Sequence, residues 1–398
     1  MKLYKKKLKN GITVLLEKRE LPVVSASITN TYGGAYETSK IKGVAHFIEH
    51  LLFTGTETRT HEDISREIEK KGGLLNAFTN HEVTSFWFKL PSEHLFAGFD
   101  ILVDMLKSPK FDGGKFEKEK KVILEEIKMY HDSPRYHVAE MLEGNMFEKP
   151  FGENIIGSKE TVSALNREFV AKLFEEVYSP ENYVVTVVGK ADFKKICDYF
   201  EKAFEPEGKK PKVIPIKKMN GDSKQERKDI DQAHFMFAMH APLLNDKKRF
   251  DLEVMDAYLA NGMSSKLFLE IREKRGLAYA VKSSYGGEMN YATYSIYVGT
   301  TKEAVSEVKK LILQGFKDVD KMAEKDLGEA KERLLGLKRV YSEESSNVLN
   351  ELMYSEMIGK AEDYYEYDKN IGDVKLEDVK KIAVDLIKNY STALIVPK

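Results

Sequence analysis

The sequence predicts an α+β fold made of two similar halves, each a mostly antiparallel sheet packed with helices. Segments rich in β-branched and aromatic residues indicate strands, and amphipathic segments of helical periodicity lie among them. The two kinds of segment do not alternate strictly, which argues against a doubly wound parallel sheet. The order of elements in the first half is also echoed in the second half.

The individual elements follow from local composition. Strands are predicted at GITVLLEKR, VVSASITNTYG and TSFWFKLP, which begin at residues 11, 23 and 84. HEDISREIEKKGG predicts a helix that begins near Thr60 or His61 and ends before Gly72 and Gly73. FAGFDILVDMLKSP predicts a second helix, which Pro109 terminates.

The internal repeat is clearest in two segments of matching composition. EIEKKGGLLNA ends at Ala77 and EIREKRGLAYA ends at Ala280, an offset of 280 − 77 = 203 residues. Each half also closes with a helix-like segment followed by a similar strand, NYVVTVVGK in the first and NYSTALIVPK in the second. The agreement in both residue type and order predicts two structurally similar domains.

The boundary between the halves is predicted at a stretch without periodicity. Residues 204–230 contain three prolines and many lysines, so we interpret them as an extended linker between domains 1–203 and 231–398. A long surface loop inside one domain is the alternative interpretation.

Composition excludes several classes of protein. The 63 basic and 64 acidic residues nearly cancel, so no global charge favours nucleic acid or an anionic membrane. Cys197 is the only cysteine, which excludes an intramolecular disulfide and a multi-cysteine metal site. No apolar run approaches the length of a membrane span, and no apolar region follows the N-terminal lysines. We therefore expect a soluble cytoplasmic protein.

The stretch GVAHFIEHLLF holds three titratable residues in an otherwise apolar setting. On a helix, His46 and His50 lie about 40° apart, and Glu49 lies about 60° to the other side of His46. The remaining residues are apolar all round, which predicts a buried helix on which unpartnered polar groups would be costly. Two imidazoles one turn apart are typical of a divalent metal clamp. A pair of hydrogen-bonded core histidines is the alternative.

A third metal ligand must come from elsewhere, and FEKEKKVILEEIKMY offers four glutamates. Helical periodicity places Glu119 and Glu126 in the middle of an apolar face that also contains Val122 and Met129. Glu125 is rotated towards the lysine-rich face and is interpreted as a solvated partner of Lys121. Buried carboxylates at the apolar face would need a cation nearby.

These motifs resemble the pitrilysin/insulinase family of zinc peptidases, the inverzincins, in which the order of the usual zinc motif is reversed to H-x-x-E-H. GVAHFIEHLLFTGT matches that motif, and GGLLNAFTNHEVTSFW matches the family segment G-G-x-x-N-A-x-T-x-x-E-x-T. REKRGLAY in the second half matches a family Arg and Tyr that lie seven residues apart. The resemblance covers most of the chain, and its length fits the family's short, two-domain branch.

The resemblance implies roles for individual residues. His46, His50 and Glu126 are expected to bind one Zn²⁺ per chain, with Glu119 orienting a ligand and Glu49 acting as general base. The resemblance also implies that Arg272 and Tyr279, in the second half, donate hydrogen bonds to the oxyanion. It implies that an edge strand binds the substrate, and the residues of this strand are Asn76, Ala77, Phe78 and Thr79. Without the resemblance, Tyr279 would be interpreted as a strand aromatic, Arg272 as a surface charge and Asn76 as a turn residue.

The function implied is a zinc endopeptidase that hydrolyses unfolded peptides in a closed chamber. The short branch works as dimers, so a homodimer is expected, with a heterodimer containing an inactive homologue as the alternative. Two other functions stay open: an active subunit of a hetero-oligomeric processing peptidase, and a substrate-binding scaffold without activity. Scaffold relatives lose the zinc motif, and its presence here favours the enzyme.

Overall fold

The computed structural model describes residues 2–206, 208 and 210–398. The chain forms two compact units, and each unit is assembled from separated segments. The first unit consists of the residues up to 128 with 153–215 and 341–364, and the second consists of 129–152, 216–340 and 365–398. The two units therefore do not coincide with the predicted domains 1–203 and 231–398.

A six-stranded sheet forms the framework of the first unit. Its strands, in chain order, are β1 (Lys2–Lys7), β2 (Thr13–Lys18), β3 (Val23–Asn30), β4 (Leu74–Thr79), β5 (Thr84–Pro91) and β6 (Tyr183–Gly189). Their order across the sheet is β1-β2-β6-β3-β5-β4, and only β2 and β6 pair in parallel. This confirms the predicted strands and the mostly antiparallel sheet.

Helices cover both faces of this sheet. One face carries a large apolar core formed with α1 (Val44–Leu52), α2 (His61–Glu69), α3 (Leu95–Lys107), most of α4 (Gly113–Asp132), α6 (Lys159–Ala164), α7 (Arg167–Val177) and α8 (Phe193–Ala203). The other face packs against α12 (Ser345–Ile358). Successive residues of β3 point to opposite faces, so Ile28 enters the large core while the Ser25 hydroxyl bonds the Ser345 hydroxyl of α12 at 2.8 Å.

The ends of α2 illustrate how local sequence determines an element. Thr60 and Asp63 form a reciprocal capping box at its start. Gly72, three residues past the last helical residue, has φ +73°, a left-handed conformation that favours glycine. Both features confirm the predicted helix boundaries, and together they direct the chain into β4.

The second unit is built on a five-stranded sheet. Its strands are β7 (Asp222–Arg227), β8 (Ala233–His240), β9 (Ala278–Gly287), β10 (Ala292–Thr300) and β11 (Ser391–Pro397). The helices of this unit are α5 (Pro134–Met146), α9 (Lys248–Leu259), a π-helical turn (Phe268–Glu273), α10 (Val305–Asp318), α11 (Glu324–Tyr341, all but its last residue), α13 (Tyr367–Asp373) and α14 (Leu376–Leu386). Because β7 lies inside the predicted linker 204–230, that prediction is wrong for residues 222–227.

The two sheets share one topology. Numbered by order of appearance, β2 to β6 and β7 to β11 both lie across their sheets in the order first, fifth, second, fourth, third. In both sheets the first and fifth of these strands form the parallel pair. The structural similarity of the halves is therefore confirmed, with β1 as an extra edge strand of the first sheet.

Each unit contains one helix that comes from the other half of the chain. α5 lies in the first half of the chain but packs on β7, β8 and β11 of the second unit. α12 lies in the second half but packs on β3 and β6 of the first unit. The exchange explains why a cut at residue 203 does not separate two complete domains. Within the described part of the chain, every helix is too short or too polar to span a lipid bilayer.

Candidate metal centre

Helix α1 carries the H-x-x-E-H motif, and its start is held by a buried carboxylate. The residue at its N-cap is Gly43, which has no side chain to satisfy the first free N–H groups. Glu37 substitutes for the missing cap: its two carboxylate oxygens accept hydrogen bonds from Gly43 N at 3.0 Å and Ala45 N at 2.7 Å. Sequence reasoning missed Glu37, although a glutamate shortly before a helix that begins with glycine is a usable signal.

Glu37 is itself enclosed and ionically supported. Its side chain is fully buried, and Lys42 Nζ lies 4.0 Å from it while donating a 2.8 Å hydrogen bond to Gly34 O. Burial raises the pKa of Glu37, and Lys42 and the two backbone N–H groups counteract that rise. This cluster anchors the first turn of α1 to the preceding loop.

Helix α4 supplies the carboxylates that face α1. The two helices are in contact through the rings of Phe47 and Phe116, whose centroids are 4.8 Å apart. Phe116 and Ile123 are buried on the packed face, and Glu119 and Glu126 lie on that same face, partly buried. The predicted inward face is thus confirmed for both glutamates.

The periodicity argument was wrong in two details of α4. Val122 and Met129, which were expected on the apolar face, are 43% and 59% exposed. Glu125 is solvated as predicted, but its partner is Lys128 at 2.6 Å rather than Lys121. The packed face is centred on Phe116 and Ile123, with Leu124 and Ile127 partly buried against the same core.

Three predicted ligands converge between α1 and α4. Ligand atoms of His46, His50 and Glu126 all lie within 4.8 Å of one another, and this is the one such group found among the described residues. Glu126 Oε2 is 3.8 Å from His46 Nε2 and 3.5 Å from His50 Nε2. On the other side of the same ring, His50 Nδ1 lies 3.5 Å from Glu119 Oε2.

The geometry and the hydrogen bonding of this group fit a divalent cation. Tetrahedral zinc with bonds of about 2.0–2.2 Å places its ligand atoms about 3.3–3.6 Å apart. Glu126 Oε2 lies 3.5 Å from His50 Nε2, within this range, and 3.8 Å from His46 Nε2, slightly beyond it. Glu126 Oε2 and His46 Nδ1 are buried and have no hydrogen-bond partner among the described residues. A bound cation would satisfy the carboxylate oxygen, and Glu119 is placed to orient the His50 ring.

The charges around the two histidines favour a cation. Burial and the neighbouring His50 lower the pKa of His46 to about 3, so its imidazole is neutral and able to act as a ligand. Burial would also lower the pKa of His50, but Glu119, Glu126 and Glu49 outweigh it and raise that pKa. Carboxylates that stabilise a proton on the His50 imidazole would also stabilise a metal ion bound to that imidazole instead of the proton.

Glu49 precedes His50 in the sequence of α1, and its side chain contacts the sheet. Its Oε2 accepts a 2.5 Å hydrogen bond from the hydroxyl of Thr79, the last residue of β4. Burial raises the pKa of Glu49, while the Thr79 hydrogen bond and His50 act in the opposite direction. A carboxylate with a raised pKa beside a metal site is suited to accept a proton from water.

The segment Asn76–Thr79 forms most of β4, which pairs with β5 on one side and is the edge strand among the described strands of its sheet. Ala77 points toward the core beside α1, while Phe78 packs on the opposite side with the α12 cluster. The Ala77 N–H donates to the Asn76 side-chain oxygen at 2.8 Å. The strand thus has an unpaired edge next to Glu49, and its role in substrate binding stays a prediction.

Arg272 and Tyr279 belong to the second unit. Arg272 lies in the π-helical turn, with its guanidinium 4.9 Å from the centre of the Phe268 ring and 3.8 Å from Glu273 Oε1. Tyr279 lies in β9, is 49% exposed, and its hydroxyl is 3.1 Å from that of Tyr297. Both side chains are accessible, and their participation in the site stays a prediction.

Comparison with known proteins agrees with these observations. The family model "Insulinase (Peptidase family M16)" matches residues 13–159, and "Peptidase M16 inactive domain" matches residues 164–334. An uncharacterized zinc protease of Bacillus subtilis, YmxG, is 31% identical over 98% of this chain and 97% of its own length. An uncharacterized zinc protease of Rickettsia felis is 30% identical over 98% of this chain and 96% of its own length.

Solved structures show the same fold. A protease from Helicobacter pylori superposes with a TM-score of 0.92 at 20% identity, covering 100% of this chain and 99% of that one. A Pseudomonas fluorescens structure described as a peptidase M16 inactive domain gives a TM-score of 0.91 at 16% identity, with coverage of 100% and 98%. With its family matches, its full-length relatives and the H-x-x-E-H geometry, the chain belongs to the insulinase family, peptidase family M16.

Proposed function

We propose that this protein is a zinc-dependent endopeptidase that hydrolyses unfolded peptides. The observation that carries the proposal is the convergence of His46, His50 and Glu126, whose ligand atoms lie within 4.8 Å of one another, with Glu126 Oε2 3.5–3.8 Å from both imidazoles. Zinc held there would supply Lewis acidity, which acidifies water and polarises a peptide carbonyl. The names of the relatives from Bacillus subtilis and Rickettsia felis support the same metal and reaction.

Glu49 is the proposed general base. It lies on the same helix as both histidine ligands, and its carboxylate is turned toward β4, where Thr79 holds one oxygen. In this position Glu49 can take a proton from the attacking water and later return it to the leaving amine. His46 and His50 are occupied as ligands in this proposal, which leaves Glu49 as the proton carrier.

Strand β4 is the proposed site of peptide binding. A peptide added beyond its edge would extend the sheet by backbone hydrogen bonds and would run beside α1. The Asn76 side chain now accepts from Ala77 N, so an arriving peptide carbonyl could replace it and release the Asn76 amide as a further donor. Recognition through the backbone tolerates many side chains, which supports activity on unfolded peptides of varied sequence.

The second unit is proposed to contribute Arg272 and Tyr279 as donors to the developing oxyanion. This proposal rests on the match to the family pattern and on the exposure of both side chains, with 49% for Tyr279. Replacing Tyr279 by Phe should lower turnover without changing zinc content. The Tyr297 hydroxyl lies 3.1 Å from that of Tyr279. Replacing Tyr297 by Phe would test whether this contact orients the Tyr279 side chain.

The proposal is tested with the purified full chain and a flexible fluorogenic peptide. We expect cleavage that stops with a chelator and returns when one equivalent of zinc is added. Glu49→Gln should retain zinc and lose about 10²–10⁴-fold in turnover, the range of a general base. Cleavage that persists after complete zinc removal, or a loss of only a few-fold in Glu49→Gln, would contradict the proposal. Size measurement on the same sample tests the predicted dimer.

A further inference from the structure

Among the described residues, the hydroxyl of Thr79 is the hydrogen-bond donor to the Glu49 side chain. We propose that Thr79 is a positioning residue that fixes the orientation of the Glu49 carboxylate relative to the metal ligands. This inference rests on the proposed function, in which Glu49 is the general base. It assigns to the Thr79 side chain a role distinct from the substrate contact expected for the strand.

The contact joins the helix of the metal ligands to the edge strand. Thr79 Oγ1 lies 2.5 Å from Glu49 Oε2, a distance typical of a charge-assisted hydrogen bond from a hydroxyl to a carboxylate. The same hydroxyl is 3.3 Å from Thr84 Oγ1 on β5, a much longer contact. Glu49 is therefore the favoured acceptor.

The hydrogen positions can be assigned by counting donors. A threonine hydroxyl has one hydrogen. Thr84 donates its own hydrogen to Tyr32 O at 3.0 Å, so Thr84 can only accept from Thr79. The single Thr79 hydrogen then goes to the closer and charged acceptor, Glu49 Oε2. No described residue donates a hydrogen bond to Glu49 Oε1, and this is the oxygen left to accept a proton.

The position of Thr79 is itself held from two sides. Its backbone pairs with Thr84 at the end of the β4–β5 hairpin. The following residue, Asn80, closes the turn by accepting hydrogen bonds from Glu82 N and Val83 N, both at 2.8 Å. Because Thr is β-branched, few side-chain rotamers are open to it. The hydroxyl is thus presented to Glu49 by a rigid turn.

A merely structural role would predict a different result on substitution. If Thr79 only filled space, Val would replace it well, because Val keeps the shape and loses only the hydroxyl. If Thr79 orients Glu49, Ser should replace it better, because Ser keeps the donor. Thr29→Val is a matched control: Thr29 is buried in the same sheet, and its hydroxyl is 2.7 Å from Ser85 Oγ, not near Glu49.

The experiment compares Thr79→Val, Thr79→Ser and Thr29→Val for turnover, KM and zinc affinity by chelator competition. We expect Thr79→Val to lower kcat at least about tenfold, the effect of losing one hydrogen bond to a charged group, with KM and zinc affinity unchanged. Thr79→Ser should recover most of the loss, and Thr29→Val should match the wild type. Equal losses in Thr79→Val and Thr29→Val, or weakened zinc binding in Thr79→Val, would overturn the inference.

Two further measurements separate this inference from the proposed function. In the Glu49→Gln background, adding Thr79→Val should cause no additional loss, because the two residues act as a pair. In the metal-free protein, infrared difference spectra should show a shifted carboxylate band between wild type and Thr79→Val, and none between the same pair in the Glu49→Gln background. If the wild type cleaves no peptide, the proposed function fails, while the infrared result still supports or overturns the Thr79–Glu49 contact.

Discussion

The two sheets have the same strand order, but the helices that follow their second strands differ in chemistry. In the first unit, α1 carries two histidines and Glu49, and the facing Glu126 has a buried oxygen without a hydrogen-bond partner. In the second unit, α9 occupies the equivalent place in the chain order. Its Glu253 lies 3.4 Å from Arg249 and accepts a 2.8 Å hydrogen bond from Tyr367.

Asp256, the buried carboxylate of α9, is also satisfied by protein groups. Asp256 accepts hydrogen bonds from Tyr294 at 2.6 Å and from Asn261 at 3.2 Å, and Arg333 donates to the Asn261 side chain at 2.8 Å. Glu253 and Asp256 of α9 thus have hydrogen-bond or ion-pair partners within the protein. In the first unit, Glu126 instead has a buried oxygen that a cation could satisfy, and this difference supports the proposed metal site there.

The largest effect is expected from separating the halves at the predicted boundary. Residues 1–203 alone lack α12, so Leu15, Val184 and Val188 would lose the cluster that buries them. Each such side chain contributes about 1.5–3 kcal/mol, against a typical total of about 5–15 kcal/mol. We expect circular dichroism and limited proteolysis to show an unfolded fragment. A cooperatively folded fragment would contradict the importance of the exchanged helix.

The next largest effect should be a difference in zinc content between variants of the adjacent residues Glu125 and Glu126. Glu126→Gln should lose most of its zinc, because it removes a converging ligand atom. Glu125→Gln should keep its zinc, because Glu125 is 71% exposed and paired with Lys128. Metal analysis after gel filtration measures both, and equal zinc content in the two variants would sink the assignment of the third ligand.

A smaller effect is expected at Glu119, which lies 3.5 Å from His50 Nδ1. Its replacement by Gln should weaken zinc affinity about 10–100-fold, as for other carboxylates that orient a metal-binding histidine. Glu117→Gln is the control, since Glu117 is exposed and pairs only at the surface with Lys120. Chelator competition would decide against this role if the two variants bound zinc alike.

The smallest effect tests the second unit directly. Asp256→Asn should reduce the free energy of unfolding by about 1–3 kcal/mol, because the new amide group disrupts a buried hydrogen-bond network. Zinc content and turnover, measured well below the melting temperature, should not change. A loss of zinc in this variant would show that the second unit takes part in metal binding.

Local sequence predicted the elements and the side chains that converge between α1 and α4. The capping box of α2, the spacing of His46 and His50, and the inward direction of Glu126 all depend on periodicity within one helix. The missed features depend on distant partners. Which sheet α12 covers is decided by packing with β3 and β6, and Glu37 caps α1 only once the intervening loop has folded back.

The strongest test of the central claim is a crystal structure of the zinc-loaded protein with anomalous data at the zinc edge. The comparison of the two units predicts one strong anomalous peak per chain, between His46 Nε2, His50 Nε2 and Glu126 Oε2, and none near Glu253 or Asp256. A zinc peak at the α9 carboxylates, or none beside His46 and His50, would contradict the account.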